Sequence, residues 1–290
     1  MDKTCYVVTF YLGERRKTVS QQKDDVLFFL KQQIAHLSYF KHNLKNIIFV
    51  FNVEKSHEKY FKRIRKLVPS QIQDTEVQIL KRKNIGFSYG GWSDVYNYYK
   101  DKFDYYIFNE DDYFFTQHNW DNYLVKKYQS YPDCGYLCPM VREPNHWSGY
   151  RKYAGHSSGI ASNESLQKVT DKFGKLPYNE DKTYQGGEDI QILFSFAFLE
   201  VGLNIYDFRD DYALDFAWTE PGEIQIWNLW QWNDKELIIP AIKLYNNNLH
   251  WYKSTDGEFL RNFKSTTLKE ATECYDNKIT YYGESNKKKN

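Results

Sequence analysis

The segment DYYIFNEDD, residues 104–112, decides the fold class, because an apolar and aromatic run ends abruptly in three carboxylates. The apolar run, residues 105–108, is typical of a strand that is buried on both faces. In an open α/β sheet, ligands bind beyond the carboxyl ends of the strands. The three acidic residues are therefore predicted to face a ligand crevice.

The residues before this segment alternate between strand and helix patterns. Residues 5–11 and 47–53 are strand candidates, and residues 77–80 are a third, shorter one. Stretches with apolar residues at helical spacing lie between them, and residues 92–100 are predicted to form the helix before the acidic strand. This alternation predicts parallel βαβ units, and thus an α/β sheet with helices on both faces.

The pattern loosens after residue 110, and the glycine pair Gly186-Gly187 introduces a long apolar helix. We predict a main domain over residues 1–225, with a nucleotide-binding half at about 1–112 and an acceptor half at about 113–225. The remaining residues, 226–290, are rich in tryptophan and short apolar stretches. They are predicted to form a small C-terminal extension of strands and turns, packed on the main domain.

The composition excludes several classes of protein. The 290 residues carry 39 basic and 38 acidic side chains. A net charge of +1 does not produce the positive electrostatic potential that nucleic-acid binding requires. Four scattered cysteines favour neither a disulfide scaffold nor a structural zinc site. No apolar stretch is long enough for a signal peptide or a membrane span, which leaves peripheral membrane association open. We expect a soluble, cytoplasmic protein.

Glu110 and Asp112 are the candidate metal ligands. Two carboxylates separated by one residue can point to the same side of an extended chain. Oxygen ligands of this kind suit Mn²⁺ or Mg²⁺, which would bridge to a diphosphate. An acidic surface turn is the alternative interpretation, since such turns are common after strands.

A second acidic motif begins the long apolar helix, where Gly186 and Gly187 precede Glu188 and Asp189. Glycines allow the backbone to approach a ligand closely. A carboxylate that points into a pocket can act as a general base toward a sugar hydroxyl. The alternative is that Asp189 only caps the helix N-terminus.

The order of these motifs resembles that of the metal-dependent GT-A glycosyltransferases, and most closely the inverting β-1,4-galactosyltransferase-type families. The segments that carry the resemblance are residues 108–112, 158–161 and 186–189. The resemblance implies a Rossmann-like, mixed and mostly parallel sheet. It also implies that Glu110 and Asp112 take the place of the D-x-D motif, which binds the metal and the nucleotide diphosphate.

The resemblance further implies that Asp189 is the catalytic base and that Glu188 contacts the acceptor or the donor sugar. The stretch before the acidic strand, residues 82–86, resembles the arginine/asparagine-glycine loop of many GT-A enzymes. Nucleotide contacts are predicted at Thr9, Tyr11, Arg15, Arg82, Asn84, Gly86 and Asp111, with a solvated basic turn as the alternative at Arg15. The sugar and acceptor pocket is predicted at Ser158, Gly159, Gly186 and Gly187. Candidates for a third metal ligand are His156, Asp215 and His250.

The function expected from these features is transfer of a sugar from a nucleotide-sugar donor to a hydroxyl of a glycan or glycoconjugate. The resemblance favours a UDP-sugar, dependence on Mn²⁺ or Mg²⁺, and inversion at the anomeric carbon. A retaining transferase, a nucleotidyltransferase and a non-catalytic carbohydrate-binding protein remain as alternatives. Tyr89, Trp92, Trp147 and Trp218 are candidate sugar-stacking residues, with a core position as the alternative for each.

Overall fold

The computed structural model describes residues 2–13, 25–111, 113–115, 118–139, 141–142, 152–155, 157–180, 184–207, 225–226, 241–245 and 248–251. Its helices and strands are, in chain order, β1 (Thr4–Leu12), α1 (Asp25–Tyr39), β2 (Asn46–Val53), α2 (Glu58–Ile64), β3 (Gln71–Ile72), β4 (Thr75–Arg82), α3 (Phe87–Tyr99), β5 (Tyr105–Glu110), β6 (Tyr113–Phe115), α4 (Trp120–Gln129), β7 (Cys134–Cys138), β8 (Val141–Arg142), β9 (Tyr153–Ala154), β10 (Gly159–Ser162), α5 (Asn163–Phe173), α6 (Tyr184–Leu199), β11 (Asn204–Asp207), β12 (Gln225–Ile226), β13 (Ala241–Tyr245) and β14 (Asn248–Trp251).

The chain divides into two compact units. The first, residues 1–13, 43–110 and 121–210, contains an eight-stranded sheet in the order β11-β7-β10-β5-β1-β2-β4-β3. The pairs β1–β2, β1–β5, β2–β4 and β7–β11 are parallel, whereas β10 and β3 run antiparallel to their neighbours. This mixed, mostly parallel sheet confirms the predicted α/β, Rossmann-like fold class.

Helices cover both faces of this sheet because its central strands are apolar on both sides. On one face, Val7 and Phe108 join a core cluster that includes residues of α3, α5 and α6. On the other face, Phe51 packs against Phe61 of α2, with ring centroids 5.4 Å apart. Tyr105 contacts Tyr128 of α4 on that same face. Side chains alternate between the faces along a strand, so the apolar run needs cover from both sides.

Two helices begin earlier than the sequence pattern predicts. Helix α3 begins at Phe87, not at Trp92, and contains Gly90 and Gly91 in its first two turns. Helix α6 begins at Tyr184, two residues before the glycine pair that was expected to introduce it. Glycine weakens a helix by about 1 kcal/mol relative to alanine. Packing against the sheet outweighs that cost here.

The second unit comprises residues 14–42, 111–120 and 211–290. It contains α1 and a four-stranded sheet in the order β12-β14-β13-β6. Strand β6 belongs to the stretch that was assigned to the acceptor half, yet it pairs antiparallel with β13. The short strands predicted after residue 225 are present within the described residues, and the domain boundary at that position stays a prediction. None of the helices in the described ranges has the length and apolarity needed to cross a membrane.

Candidate functional site

The carboxyl ends of β1, β2, β4 and β5 lie side by side at one edge of the eight-stranded sheet. Thr9 of β1 is in register with Glu110 of β5, and Asn52 of β2 with Arg82 of β4. Parallel strands end at the same edge, so four separate parts of the sequence meet there. Of the predicted site residues, this edge brings together Thr9, Tyr11, Arg82 and Glu110.

Glu110 is held in place by the first turn of α3. The Ser88 hydroxyl donates a hydrogen bond to Glu110 Oε1, at 2.7 Å. Ser88 is the second residue of α3, so the carboxylate lies at the positive end of the helix dipole. Ser88 is buried and Glu110 is partly exposed, as a carboxylate must be if it is to bind a ligand.

Arg82 organises the loop between β4 and α3. Its Nε donates to Asp94 Oδ2 at 2.5 Å, its Nη1 to Asn52 Oδ1 at 2.6 Å, and its Nη2 to the Ile85 carbonyl at 2.8 Å. The Arg82 side chain is only 9% exposed. These bonds tie the end of β2, the loop and the second turn of α3 to one guanidinium. The geometry thus gives Arg82 a positioning role; a direct nucleotide contact stays a prediction.

The rest of this loop is fixed by Gly86 and Asn84. Gly86 has a φ of 74°, in the left-handed region, and a Cβ on it would overlap the ring of Tyr178. Glycine is therefore required at this position for two independent reasons. Asn84 is buried, and its Nδ2 lies 3.5 Å from Glu54 Oε1 just after β2. The loop is preorganised by these contacts.

Thr9 lies beneath α3. It is buried, and its Oγ1 has no hydrogen-bond partner among the residues that the structure describes. A Cβ on Gly91 would lie 3.2 Å from this oxygen and 3.1 Å from Val50 Cγ1. Gly91 thus allows the helix to approach the strand ends closely.

Three buried polar residues, Tyr89, Tyr136 and Ser157, form a cluster close to Glu110. Burial raises the pKa of Tyr89 far above its usual value; the Ser157 hydrogen bond opposes this rise, and the Glu110 charge adds to it. Burial, followed by the neighbouring Tyr89, likewise raises the pKa of Tyr136. Both phenols are therefore neutral, and a neutral phenol can donate a hydrogen bond without adding charge beside the carboxylate.

The predicted sugar-pocket turn lies at the start of β10, beside this cluster. Gly159 pairs with Phe108 of β5, and Ser158 is buried. A Cβ on Gly159 would lie 2.5 Å from the Leu137 carbonyl oxygen and 2.7 Å from Tyr136 Oη. Close packing alone thus explains this glycine, whatever ligand binds nearby.

Several predicted residues are only partly described. Asp112 and Arg15 lie outside the described residues, as do the ligand candidates His156 and Asp215. For Asp111, the structure records a buried side chain and a carbonyl that accepts a 3.1 Å hydrogen bond from Gln33. The backbone is described, but not the side chains, for Gly186, Gly187, Glu188, Asp189 and His250.

The structure rules out the capping alternative for Asp189, and it confirms the core alternative for Tyr89 and Trp92. Asp189 is the sixth residue of α6, so it is not the N-cap of that helix. Trp92 is fully buried and stacks on Phe108 at a centroid distance of 5.1 Å, and Tyr89 is also buried. Both are core residues and not sugar-stacking platforms. Trp147 and Trp218 lie outside the described residues.

The metal prediction rests on the carboxylates of Glu110 and Asp112. Within the described ranges, no group of three or more His, Cys, Asp or Glu side chains could hold a metal ion. Glu110 is the described half of the predicted pair, and carboxylate oxygens are the kind of ligand that hard divalent cations prefer. The residue that would complete the pair, Asp112, follows two positions later in the sequence.

No local sequence pattern indicates that Ser88, Asn52, Asp94 and Tyr178 belong to the site. Ser88 lies outside the predicted helix, because α3 begins at Phe87, five residues before the predicted start at Trp92. No local pattern connects Arg82 to Asn52 or Gly86 to Tyr178, because those contacts depend on the tertiary fold.

Comparison with known proteins gives remote structural likenesses only. No protein-family model matches the chain, and no curated protein sequence matches it. A cytidylyltransferase from Leptospira borgpetersenii is 13% identical, with 72% of this chain and 76% of that chain covered and a TM-score of 0.42. TarS of S. aureus is 12% identical, with 76% of this chain but 37% of that chain covered and a TM-score of 0.43. A 4-diphosphocytidyl-2C-methyl-D-erythritol synthase from Anaerococcus prevotii is 10% identical, with 71% and 86% covered and a TM-score of 0.40. Because these identities are so low, we infer the function of this chain from its own residues.

Proposed function

We propose that this chain is a metal-dependent transferase that uses a nucleotide-sugar donor, a UDP-sugar in the first instance, and glycosylates a hydroxyl of a glycan or glycoconjugate. The observation that carries the proposal is the 2.7 Å hydrogen bond from Ser88 to Glu110. It orients an acidic side chain at the strand-end edge, where α/β sheets bind their ligands.

The residues of this edge suit a nucleotide diphosphate. Glu110 and Asp112 would together hold Mn²⁺ or Mg²⁺, and such an ion stabilises the negative charge of a departing diphosphate. The loop at residues 82–86 lies beside the same edge and is held rigid by Arg82. A rigid loop loses little entropy on binding, which favours affinity for the nucleotide.

Asp189 is the proposed general base. It follows Gly186 and Gly187 within the first two turns of α6. In the transfer step, the acceptor oxygen forms a bond to the anomeric carbon while the bond from that carbon to the diphosphate breaks. Asp189 takes the hydroxyl proton, and the nucleoside diphosphate leaves. Attack opposite the leaving group inverts the anomeric centre.

Thermal-shift measurements with nucleotides and Mn²⁺ test the donor and the metal. We expect UDP with Mn²⁺ to raise the melting temperature, and Asp112→Ala to abolish the rise. Asp74→Ala is the matched control, because Asp74 is an exposed carboxylate in the turn between β3 and β4. No metal-dependent shift with UDP, GDP, dTDP or CMP would refute the proposal. A shift with CTP or other nucleoside triphosphates alone would favour the nucleotidyltransferase alternative.

The catalytic step has a separate test. Asp189→Asn is expected to retain nucleotide binding but to lose transfer by about 10²- to 10⁴-fold, the usual contribution of a general base. NMR of the product distinguishes an inverting from a retaining enzyme. Glycan binding that needs neither nucleotide nor metal would instead support the non-catalytic carbohydrate-binding alternative.

A further inference from the structure

A cavity of about 280 Å³ lies between α6 and the segment that follows α5, and its lining includes Tyr178, the neighbour of Gly86. Leu193, Phe196 and Ala197 line it from α6, and Phe173, Pro177 and Tyr178 line it from the other side. Positions 193, 196 and 197 follow the i, i+3, i+4 spacing, so they share one face of the helix. The cavity is therefore built from two consecutive parts of the chain within the first unit.

The lining is apolar, and part of it faces solvent. Phe173 is 42% exposed and Leu193 is 44% exposed, although both are large apolar side chains. A ligand that covers these two side chains would gain roughly 25 cal/mol for each Å² of apolar surface removed from water. Apolar lining with few polar groups is typical of small-molecule sites.

The charges at the mouth of the cavity do not cancel. Lys172 donates to the Glu200 carbonyl at 2.6 Å and lies 3.4 Å from Glu200 Oε2, so the Glu200 carboxylate has a cationic partner. Lys175 lies 4.0 Å from the centre of the Tyr178 ring, and no carboxylate pairs with it among the described residues. Among the described residues, the ammonium of Lys175 is thus a positive charge without a carboxylate partner at the rim of an apolar cavity.

We propose that this cavity binds a small apolar molecule that carries a single anionic group. An apolar cavity of about 150 Å³ holds benzene, so this one has room for about two rings. The nucleotide sugars of the proposed function are too large and too polar for it. The anionic group of the ligand would lie beside Lys175, and its apolar body would cover Phe173 and Leu193. The inference is independent of the proposed function.

Calorimetric titration of the full chain with three probes of equal ring size tests the proposal. The probes are 2-naphthoate, 2-naphthalenemethanol and 2-naphthylmethylammonium, which differ in charge. We expect the anion to bind most tightly and the cation most weakly. Lys175→Gln should weaken 2-naphthoate binding by about three- to fivefold, as for an exposed charge pair, and leave the neutral probe unchanged. Leu193→Ser should weaken all binding by at least about tenfold.

Leu67→Ser is the matched control, because Leu67 is 50% exposed and lies outside the cavity. It should leave the affinities for all three probes unchanged. Circular dichroism checks that each variant is folded, and the exposure of Leu193 makes its loss tolerable. The proposal is refuted if 2-naphthoate does not bind, if Leu193→Ser has no more effect than Leu67→Ser, or if the three probes bind equally well. None of these outcomes depends on whether the chain binds a nucleotide.

Discussion

Replacing Arg82 by glutamine is expected to destabilise the first unit by about 3 kcal/mol. The substitution leaves Asn52 Oδ1 and the Ile85 carbonyl without their donor, and Asn52 is only 2% exposed. An unsatisfied buried acceptor costs about 1–3 kcal/mol. Asp94 is 43% exposed, so water replaces most of its lost ion pair, and that pair adds at most about 1 kcal/mol. At about 2–4 °C per kcal/mol, the melting temperature should fall by about 6–12 °C.

Urea denaturation followed by far-ultraviolet circular dichroism measures this loss. Lys81→Gln is the control, because Lys81 forms an ion pair with Glu58 in which both side chains are about 40% exposed. That variant should lose no more than about 1 kcal/mol. Arg82→Lys keeps the charge but not the fork of donors, so it should recover less than half of the stability. If Arg82→Gln costs no more than Lys81→Gln, the positioning role of Arg82 is wrong.

Three further predictions concern other contacts of the structure. Ser88→Ala should weaken Mn²⁺ binding in the presence of UDP by about 10- to 100-fold, measured by titration calorimetry, because it removes the hydrogen bond from Ser88 that orients Glu110. Gly86→Ala should lower the free energy of unfolding by more than Gly174→Ala; both glycines have positive φ, but only the first would meet a neighbouring ring. Burial lowers the pKa of His42, so the unfolded chain binds protons first and stability falls as the pH drops below about 6.5. Between about pH 7 and about pH 5.5, the thermal unfolding midpoint of His42→Asn should change less than that of the unmodified chain. If both midpoints change equally with pH, His42 is not the cause.

The fold class was predictable because the central strands have a distinctive pattern in the sequence. The runs around Ile48, Val50 and Phe108 are apolar on successive residues, a pattern that requires cover on both faces of a sheet. The antiparallel insertion of β10 between β5 and β7 was not predictable in the same way. Gly159 to Ser162 form a short strand whose position is fixed by pairing with residues more than fifty positions earlier, and local patterns contain no such information.

The acidic residues of the candidate site were predictable from the sequence, but the residues that hold them in place were not. Glu110 stands out because a charged residue ends an apolar strand. Its hydrogen-bond partner Ser88 lies twenty-two residues earlier, in a stretch with two glycines that reads as a loop. Helix propensity predicted a later start for α3, and tertiary packing overrode that propensity.

The same two glycines explain how α3 reaches the edge of the sheet. A Cβ on Gly90 would overlap the Ile85 carbonyl, the group to which Arg82 donates, and a Cβ on Gly91 would press on Thr9 and Val50. With hydrogen atoms at both positions, the first turns of the helix can lie directly on the loop and the strand ends. That close approach brings the Ser88 hydroxyl within 2.7 Å of the Glu110 carboxylate. The residues that make the helix hard to recognise in the sequence are therefore the ones that allow it to orient the acidic side chain.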